Sequence, residues 1–271
     1  MTSGSNMIDT IYIPTYGRVG QQKTYDNLPD KWKEKTYLVV SPDEIHSGCQ
    51  TISCPIQGQG IAPVREWIAK HGVGKRYAVL DDDIEFVYTR RKDEKGPSNK
   101  PLTEIQFDDM FDTMSSWIDE GYIHVSCDVC WNPPTRNAEY KVNSRITNNI
   151  FYDGTKLPIE KIDWTSLDVA EDYYVNLQLL TMGYENKVSL MYRTNPSATQ
   201  AQGGCSTFRT LDVHNECMKK LRNKFPNFVE LREKVTKNSG EWSDKPRLAA
   251  TISWKKAYES SQINTLEKFM Q

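Results

Sequence analysis

The chain has 271 residues, 38% hydrophobic and 26% charged, with a formal net charge of −2, which describes a folded globular protein of one large or two small domains and excludes a disordered chain. No apolar run approaches the roughly 18 to 20 residues that span a bilayer, and residues 1–10, MTSGSNMIDT, lack the basic and apolar regions of a signal peptide, so a cytoplasmic protein is expected. Six cysteines with no export signal read as free thiols rather than a disulfide framework.

An apolar, β-branched run, TIYIPTYGR (10–18), predicts the first strand, cut off by Pro14 and Gly17. A short helix is expected around 20–28, then strands over KTYLVV (35–40) and QTISC (50–54). GIAPVREWIAKH (60–71) reads as a helix with Val64, Trp67, Ile68 and His71 on one face and Gly72 as its stop. RYAVLDDD (76–83) follows as a strand buried on both faces. Strands alternating with helices in this way predict a mostly parallel sheet with crossover helices, an α/β fold.

TRRKDEKGPSNKP (89–101) is polar and reads as a loop. The next helix spans 103–121, with apolar Ile105, Phe107, Met110, Phe111, Met114, Trp117 and Ile118, a capping box from Thr103 and Gln106, and Gly121 as its stop. YIHVSCDVC (122–130) returns as a strand, and 131–148 is a long, polar, irregular segment of the kind that carries function. IFYDGTKL (150–157) suggests a hairpin around Asp153-Gly154. A helix is expected from Asp172 to Met182, ended by Gly183, and another over NECMKKLRNKF (215–225), before an irregular tail through ISWKKAYESS (252–261). No internal repeat is visible, so one domain over 1–271 is expected.

Three adjacent aspartates, Asp81, Asp82 and Asp83, close the buried strand at 76–83. Ligands of open α/β sheets bind beyond the carboxyl ends of strands, and hard carboxylate oxygens suit Mg²⁺ or Mn²⁺ completed by substrate phosphates. Strand alternation would turn Asp81 and Asp83 to one side and Asp82 to the other. The plain alternative is a solvated acidic loop. AEDYYVNLQLLTMGY (170–184) places Glu171 and Asp172 where a helix begins. There the backbone N–H groups favour a carboxylate, so a base would need a partner or desolvation to raise its pKa. The plain alternative is an acidic N-cap.

YIPTYGR (12–18), GIAPVREWIAKHGVGKRYAVLDDD (60–83) and AEDYYVNLQLLTMGY (170–184), in this order and spacing over roughly residues 10–190, resemble a GT-A glycosyltransferase. Within that superfamily the chain looks most like the phage and TET-associated glycosyltransferases, which put sugars on hydroxymethylated pyrimidines in DNA; GGCSTFRT (203–210) and the FPNFVELREK…ISWKKAY ending contribute to the likeness. The resemblance implies a Rossmann-like, nucleotide-sugar-binding α/β fold with a C-terminal extension for acceptor and pyrophosphate. A nucleotide-sugar half would cover about 10–120, and an acceptor-binding and catalytic half about 121–271. It implies that Pro14, Thr15, Tyr16 and Arg18 line the base and ribose pocket and that Arg65 reaches the nucleotide sugar or pyrophosphate. Asp81 and Asp83 would be the D-x-D pair, with Asp83 the direct metal contact and Asp82 beside the donor. Asp172, with Glu171 next to it, would be the base that deprotonates the acceptor hydroxyl. His214 is the candidate for the late histidine that GT-A enzymes add to the metal, although it falls in an apparent helix, where a histidine is often structural. Lys255 and Lys256, beside Trp254, are candidates to assist the leaving diphosphate.

The implied activity is metal-dependent transfer from a nucleoside-diphosphate sugar, UDP-sugar by default, to 5-hydroxymethylcytosine or 5-hydroxymethyluracil in phage DNA, with inversion expected and retention open, since the same fold hosts both outcomes. The alternatives are a polysaccharide or protein acceptor, and a non-catalytic sugar-nucleotide or DNA-binding module. Trp131, Arg136, Tyr140, Lys141 and Arg145 could stack on bases and contact phosphates of a flipped-out nucleotide. The overall charge hides an asymmetry that suits this: residues 1–184 carry 19 Lys/Arg against 27 Asp/Glu, and residues 185–271 carry 15 against 9. CDVC (127–130) has two of the four ligands of a structural zinc, with Cys205, His214 and Cys217 as possible others. Inside an apparent strand it reads instead as two strand cysteines.

Overall fold

Short β-branched and aromatic runs build one ten-stranded mixed sheet covered by helices on both faces. The computed structural model describes residues 7–131, 133, 137–196, 209–237 and 242–269, with side chains as far as 263. Strands β1 (Thr10–Pro14), β2 (Thr36–Val40), β3 (Gln50–Ser53) and β4 (Arg76–Leu80) pair in parallel in the order β3-β2-β1-β4. The sheet continues as β9 (Asn149–Asp153), β7 (His124–Val129), β10 (Lys187–Pro196), β5 (Ile84–Thr89) and β6 (Asn99–Pro101). Strand β8 (Tyr140–Val142) also pairs with β10. Because β9 is antiparallel to both β4 and β7, and β10 is parallel to β7, the strands β1, β4, β7 and β10 all direct their carboxyl ends to one edge.

After the short helix α1 (Lys23–Asn27), one face packs on α2 (Asp30–Lys33) and α4 (Glu104–Asp119), through Trp32, Phe107, Phe111, Met114 and Ile118. The predicted capping box at Thr103 and Gln106 starts α4. The other face packs on α3 (Ile61–His71) and α5 (Glu171–Thr181), through Val64, Ile68, Val175 and Leu179. Helix α5 is buried on both sides: Tyr174, Leu177 and Leu180 face a smaller cluster with α6 (Leu211–Lys224), a two-stranded sheet of β11 (Val229–Lys234) and β12 (Arg247–Ile252), and α7 (Trp254–Phe269). Among the described residues no helix is long and apolar enough to cross a membrane.

The α/β reading of the sequence holds, while several local expectations do not. The stretch 84–101 is an antiparallel pair, β5 and β6, and the expected irregular tail holds the β11–β12 hairpin and α7. Residues 150–157 are not a hairpin, since β9 is a central strand between β4 and β7. Its Asp-Gly instead makes the exit from the sheet: the Gly154 N–H donates to the Lys75 carbonyl at 2.8 Å, and the Gly154 carbonyl accepts from the Gly74 N–H at 3.1 Å. A Cβ on Gly154 would lie 2.1 Å from the Gly72 carbonyl oxygen and 2.6 Å from that of Lys75. Both obstacles are backbone and cannot swing aside. Gly154→Ala is therefore expected to destabilise the protein by about 2 kcal/mol or more, measured by urea unfolding, as overpacking with forced backbone shifts does.

The first strand stops at Pro14 and β4 stops at Leu80, so Asp81–Asp83 form a turn into β5 rather than the end of a strand. Thr24 pins that turn: its hydroxyl donates to the Asp81 carbonyl at 2.6 Å and its N–H to the Asp82 carbonyl at 3.1 Å.

Candidate active site at the carboxyl edge of the sheet

The carboxyl ends of four parallel strands converge on a cavity of about 520 Å³. Pro14 ends β1, Asp81 follows β4, Trp131 follows β7 and Pro196 ends β10, and all four line it. Thr147 and Asn148, just before the antiparallel β9, join them.

The corner beyond β1 is held by a network of polar side chains. Asp82 accepts from the Thr15 hydroxyl at 2.7 Å and pairs with Arg18, whose guanidinium also lies 3.4 Å from Asp83. The Gln57 amide donates to the carbonyls of Thr15 and Val39 at 2.7 and 2.8 Å. The Tyr16 ring lies so close to Gly58 that a Cβ there would be 3.0 Å from it, and Gly58 has φ +91°. The positive φ favours glycine there, and a Cβ would press on the Tyr16 ring.

The second group centres on Arg65. Its Nε donates to Glu171 at 3.0 Å and its Nη2 to Asp81 at 2.8 Å. Nη1 is buried and has no partner among the described residues, on a residue that lines the cavity. A buried guanidinium nitrogen left unpaired is costly, so this donor is suited to an oxygen that a ligand brings. Burial opposes the Arg65 charge, but Asp81, Glu171 and Asp172 outweigh it and raise its pKa. Asp81 is pushed up to about 7, first by burial and then by Asp83, Glu171 and Asp82, against the pull of Arg65. Burial likewise raises Asp82, against Arg18 and Thr15. Burial and the crowding of carboxylates therefore disfavour the charged forms of Asp81 and Asp82 more than Arg65 and Arg18 favour them.

Asp172 is the third element. Ala170, the residue before α5, is in the left-handed region with φ 63° and ψ 31°, a conformation that costs a non-glycine residue energy and recurs at functional sites. The chain thereby turns Glu171 inward to Arg65 and places Asp172 on the cavity wall. One Asp172 oxygen accepts from the Tyr173 N–H at 2.8 Å, and the other has no partner among the described residues. Burial, then the charge of Glu171, raises the Asp172 pKa, against Arg65, the Tyr173 N–H and Arg145. Behind it, Arg145 lies over the Tyr173 ring at 5.7 Å, and Tyr173 rests edge-on against Trp254 at 5.6 Å.

The structure thus brings Pro14, Thr15, Tyr16, Arg18, Arg65, Asp81, Asp82, Asp83, Glu171, Asp172 and His214 to one cavity, but not always in the expected posture. Asp82 is not turned away, because the triplet is a turn and strand alternation does not apply; it is the anchor for Thr15 and Arg18. Glu171 is 5% exposed, and one of its oxygens accepts from Arg65 Nε at 3.0 Å. His214 donates its Nε2–H to the Leu248 carbonyl at 2.8 Å and packs on Trp242 at 5.2 Å, which makes it a strut of the α6 wall. No three His, Cys, Asp or Glu side chains among the described residues form a metal cage, and His214 is not grouped with the aspartates. The same holds for Cys127, Cys130 and Cys217, which are free thiols; Cys205 lies outside the described residues.

Lys255 and Lys256 do not reach the cavity. Helix α7 turns Ala257 inward, fully buried, and leaves both lysines exposed. Besides Arg18 and Arg65, the cations that do line the cavity are Arg145, Arg209, Arg232, Lys234 and Arg247. Of the irregular segment 131–148, Trp131 and Arg145 line it, Tyr140 packs with Trp117 and Lys187, Lys141 pairs with Asp128 at 3.1 Å, and Arg136 lies outside the described residues. The hairpin cations went unrecognised in the sequence, although alternation in VELREK, with Val229 and Leu231 against Arg232 and Lys234, was the available signal.

The family profile described as TET-Associated Glycosyltransferase matches residues 10–204, which contain Arg18, Arg65, the aspartate turn and Asp172. The chain belongs to the TET-associated glycosyltransferase family. Two proteins named Beta-glucosyl-HMC-alpha-glucosyl-transferase, from Enterobacteria phages T6 and T2, are 30% and 29% identical to it over 228 residues. The alignments cover 79% of this chain and 80% of theirs. This TET-associated glycosyltransferase is therefore an enzyme, which sets aside the non-catalytic alternative, and its sheet is that of a Rossmann-like GT-A fold.

Proposed function

We propose that the enzyme transfers a sugar from a nucleoside-diphosphate sugar, UDP-sugar by default, to a hydroxyl carried on a hydroxymethylpyrimidine of phage DNA, in the host cytoplasm. The observation that carries this reading is one cavity lined together by Asp172, the aspartate turn and Arg65, whose Nη1 has no partner among the described residues. The names of the T6 and T2 proteins add an acceptor class, since they join glucosyl groups to HMC, read as hydroxymethylcytosine. The acceptor hydroxyl then belongs either to the hydroxymethyl group or to a sugar already attached to it.

Each part of the chain has a role in that reaction. Tyr16 over Gly58, with Thr15 and Arg18, forms a slot for the nucleoside. Arg65 offers Nη1 to a phosphate or sugar oxygen while holding Asp81 and Glu171 in place. Asp83, 28% exposed at its side chain, and Asp81 present carboxylate oxygens to the cavity. This donor set fits a Mg²⁺ or Mn²⁺ ion whose remaining ligands are phosphate and water oxygens. Such an ion, when bound, neutralises charge on a departing diphosphate. Asp172, with a raised pKa and an unengaged oxygen, accepts the proton of the acceptor hydroxyl as that oxygen bonds to the anomeric carbon and the diphosphate leaves. One base and one displacement give inversion.

Incubating the protein with DNA containing hydroxymethylcytosine, hydroxymethyluracil or glucosylated hydroxymethylcytosine, with a panel of nucleotide sugars, and weighing the nucleosides tests this directly. The expected result is one added sugar on one of these bases. Transfer to a polysaccharide or protein and to no DNA would overturn it. Asp83→Ala is expected to weaken nucleotide-sugar binding at least 10-fold in Mn²⁺ or Mg²⁺ and to leave binding in EDTA unchanged, measured by calorimetry. Equal affinities with metal would remove Asp83 from the ion's ligands.

A further inference from the structure

The cavity is electrically divided. Asp81, Asp82, Asp83, Glu171 and Asp172 stand on the sheet side with Arg18 and Arg65, and the charged side chains that the β11–β12 hairpin contributes, Arg232, Lys234 and Arg247, are all cations. Register puts Lys234 directly opposite Arg247, with Arg232 two residues along the same face, opposite Ala249. Like charges directly across a strand pair are destabilising. No ion pair with a carboxylate relieves Arg232, Lys234 or Arg247 among the described residues. Arg247 lies over the Trp242 ring at 5.4 Å, which orients it without neutralising it. Burial and the nearby Arg209 both work against its charge. Meanwhile the hairpin's opposite face is committed to packing: Val229, Leu231, Ala250 and Ile252 join the cluster with α5, α6 and α7. The cationic face is thus held by packing behind it, repelled within itself and without a carboxylate partner among the described residues.

We infer that the β11–β12 hairpin is a phosphodiester clamp that holds the backbone of the acceptor DNA strand against the cavity. This rests on the proposed DNA acceptor and adds where the strand is gripped. A polyanion approaching the cavity meets five carboxylates, and the hairpin is the wall that can offset them. Residues two apart on a strand are separated by roughly 7 Å, so Arg232 and Lys234 are spread to take separate phosphate groups rather than to converge on one diphosphate. The Arg65 side of the cavity already supplies a donor for the leaving group. Trp131, 59% exposed on the cavity rim, offers a ring on which a neighbouring base can stack. The hairpin lies beyond residues 10–204, so the family match does not cover it.

The test is a salt titration of binding to hydroxymethylated duplex DNA, for the full-length enzyme and for Arg232→Ala/Lys234→Ala, with Arg247→Gln added in a triple variant. Arg232 and Lys234 are exposed, so the double variant leaves packing intact. Each lost phosphate contact lowers the slope of log K against log salt by about 0.9, so a reduction of about 2 is expected for the double variant and nearly 3 for the triple. The KM for DNA should rise at least 10-fold while that for the nucleotide sugar stays within twofold. A raised nucleotide-sugar KM with an unchanged salt slope would assign the hairpin to the donor diphosphate and overturn the inference. Unchanged slopes with DNA transfer intact would overturn it while leaving the DNA acceptor standing. Wild-type enzyme that neither binds nor modifies DNA would overturn both.

Discussion

Asp172→Asn is expected to lower transfer by about 10²- to 10⁴-fold, the range a positioned general base contributes, with nucleotide-sugar affinity kept within a few-fold. The isosteric amide preserves the bond from the Tyr173 N–H but cannot accept a proton from the acceptor. The pH profile separates this from a structural effect. A base works only when ionised, so wild-type transfer should climb with pH. The midpoint should lie above the ordinary aspartate value of about 3.9, because burial and Glu171 raise the Asp172 pKa. The Asn variant should lack that climb. Stability should move the other way. A carboxyl whose folded pKa is raised contributes stability that is complete below its unfolded pKa and is lost as pH rises through the folded one. The Asn variant should therefore gain on wild type in thermal melts as pH rises through that window. Transfer near the wild-type rate, or an acid limb that survives the substitution, would move the base elsewhere.

What could be read from the sequence was the chemistry carried by contiguous residues, and what could not was set by tertiary partners. The strand before Asp81, the helix carrying Arg65 and the helix beginning at Glu171 each announce themselves by local pattern, and they converge because parallel strands share a carboxyl edge. The roles inside the triplet were not legible, because they follow from where β4 stops and from Thr15, Arg18 and Arg65, which lie 16 to 67 residues away. Lys255 and Lys256 looked like phosphate ligands only while 252–261 was read as irregular. On α7 the burial of Ala257 decides which way they point. Strand β9 was misread because Asp-Gly is the strongest short hairpin signal, and a glycine forced by a backbone contact with Gly72 gives the same two letters.

Arg65→Ala should be the most damaging single change in the protein. The guanidinium is 7% exposed and is the cation between Asp81 and Glu171. Removing one partner from a buried ion pair costs about 3–5 kcal/mol, because the remaining charge keeps its desolvation without its attraction. Asp81, whose side chain is 35% exposed, is partly screened, so the lower end applies. For a chain of this size that corresponds to a fall of roughly 6 to 12 °C in Tm. The deficit has a direction in pH. Protonated Asp81 needs no cation, and losing Arg65 raises its folded pKa further, so the Asp81 part of the deficit should be present above about 7 and shrink as pH falls through about 7, where Asp81 titrates in the intact site. Donor binding should weaken about 10- to 100-fold, since Nη1 would otherwise make a charge-assisted bond worth about 1.5–3 kcal/mol. Arg65→Lys separates the two effects: one ammonium restores a positive charge but cannot reach Asp81, Glu171 and a ligand oxygen as a planar fork does. It should recover much of the melting temperature and little of the donor affinity. A lysine variant with full donor affinity would mean that Arg65 supplies charge alone, and that Nη1 has no ligand to meet.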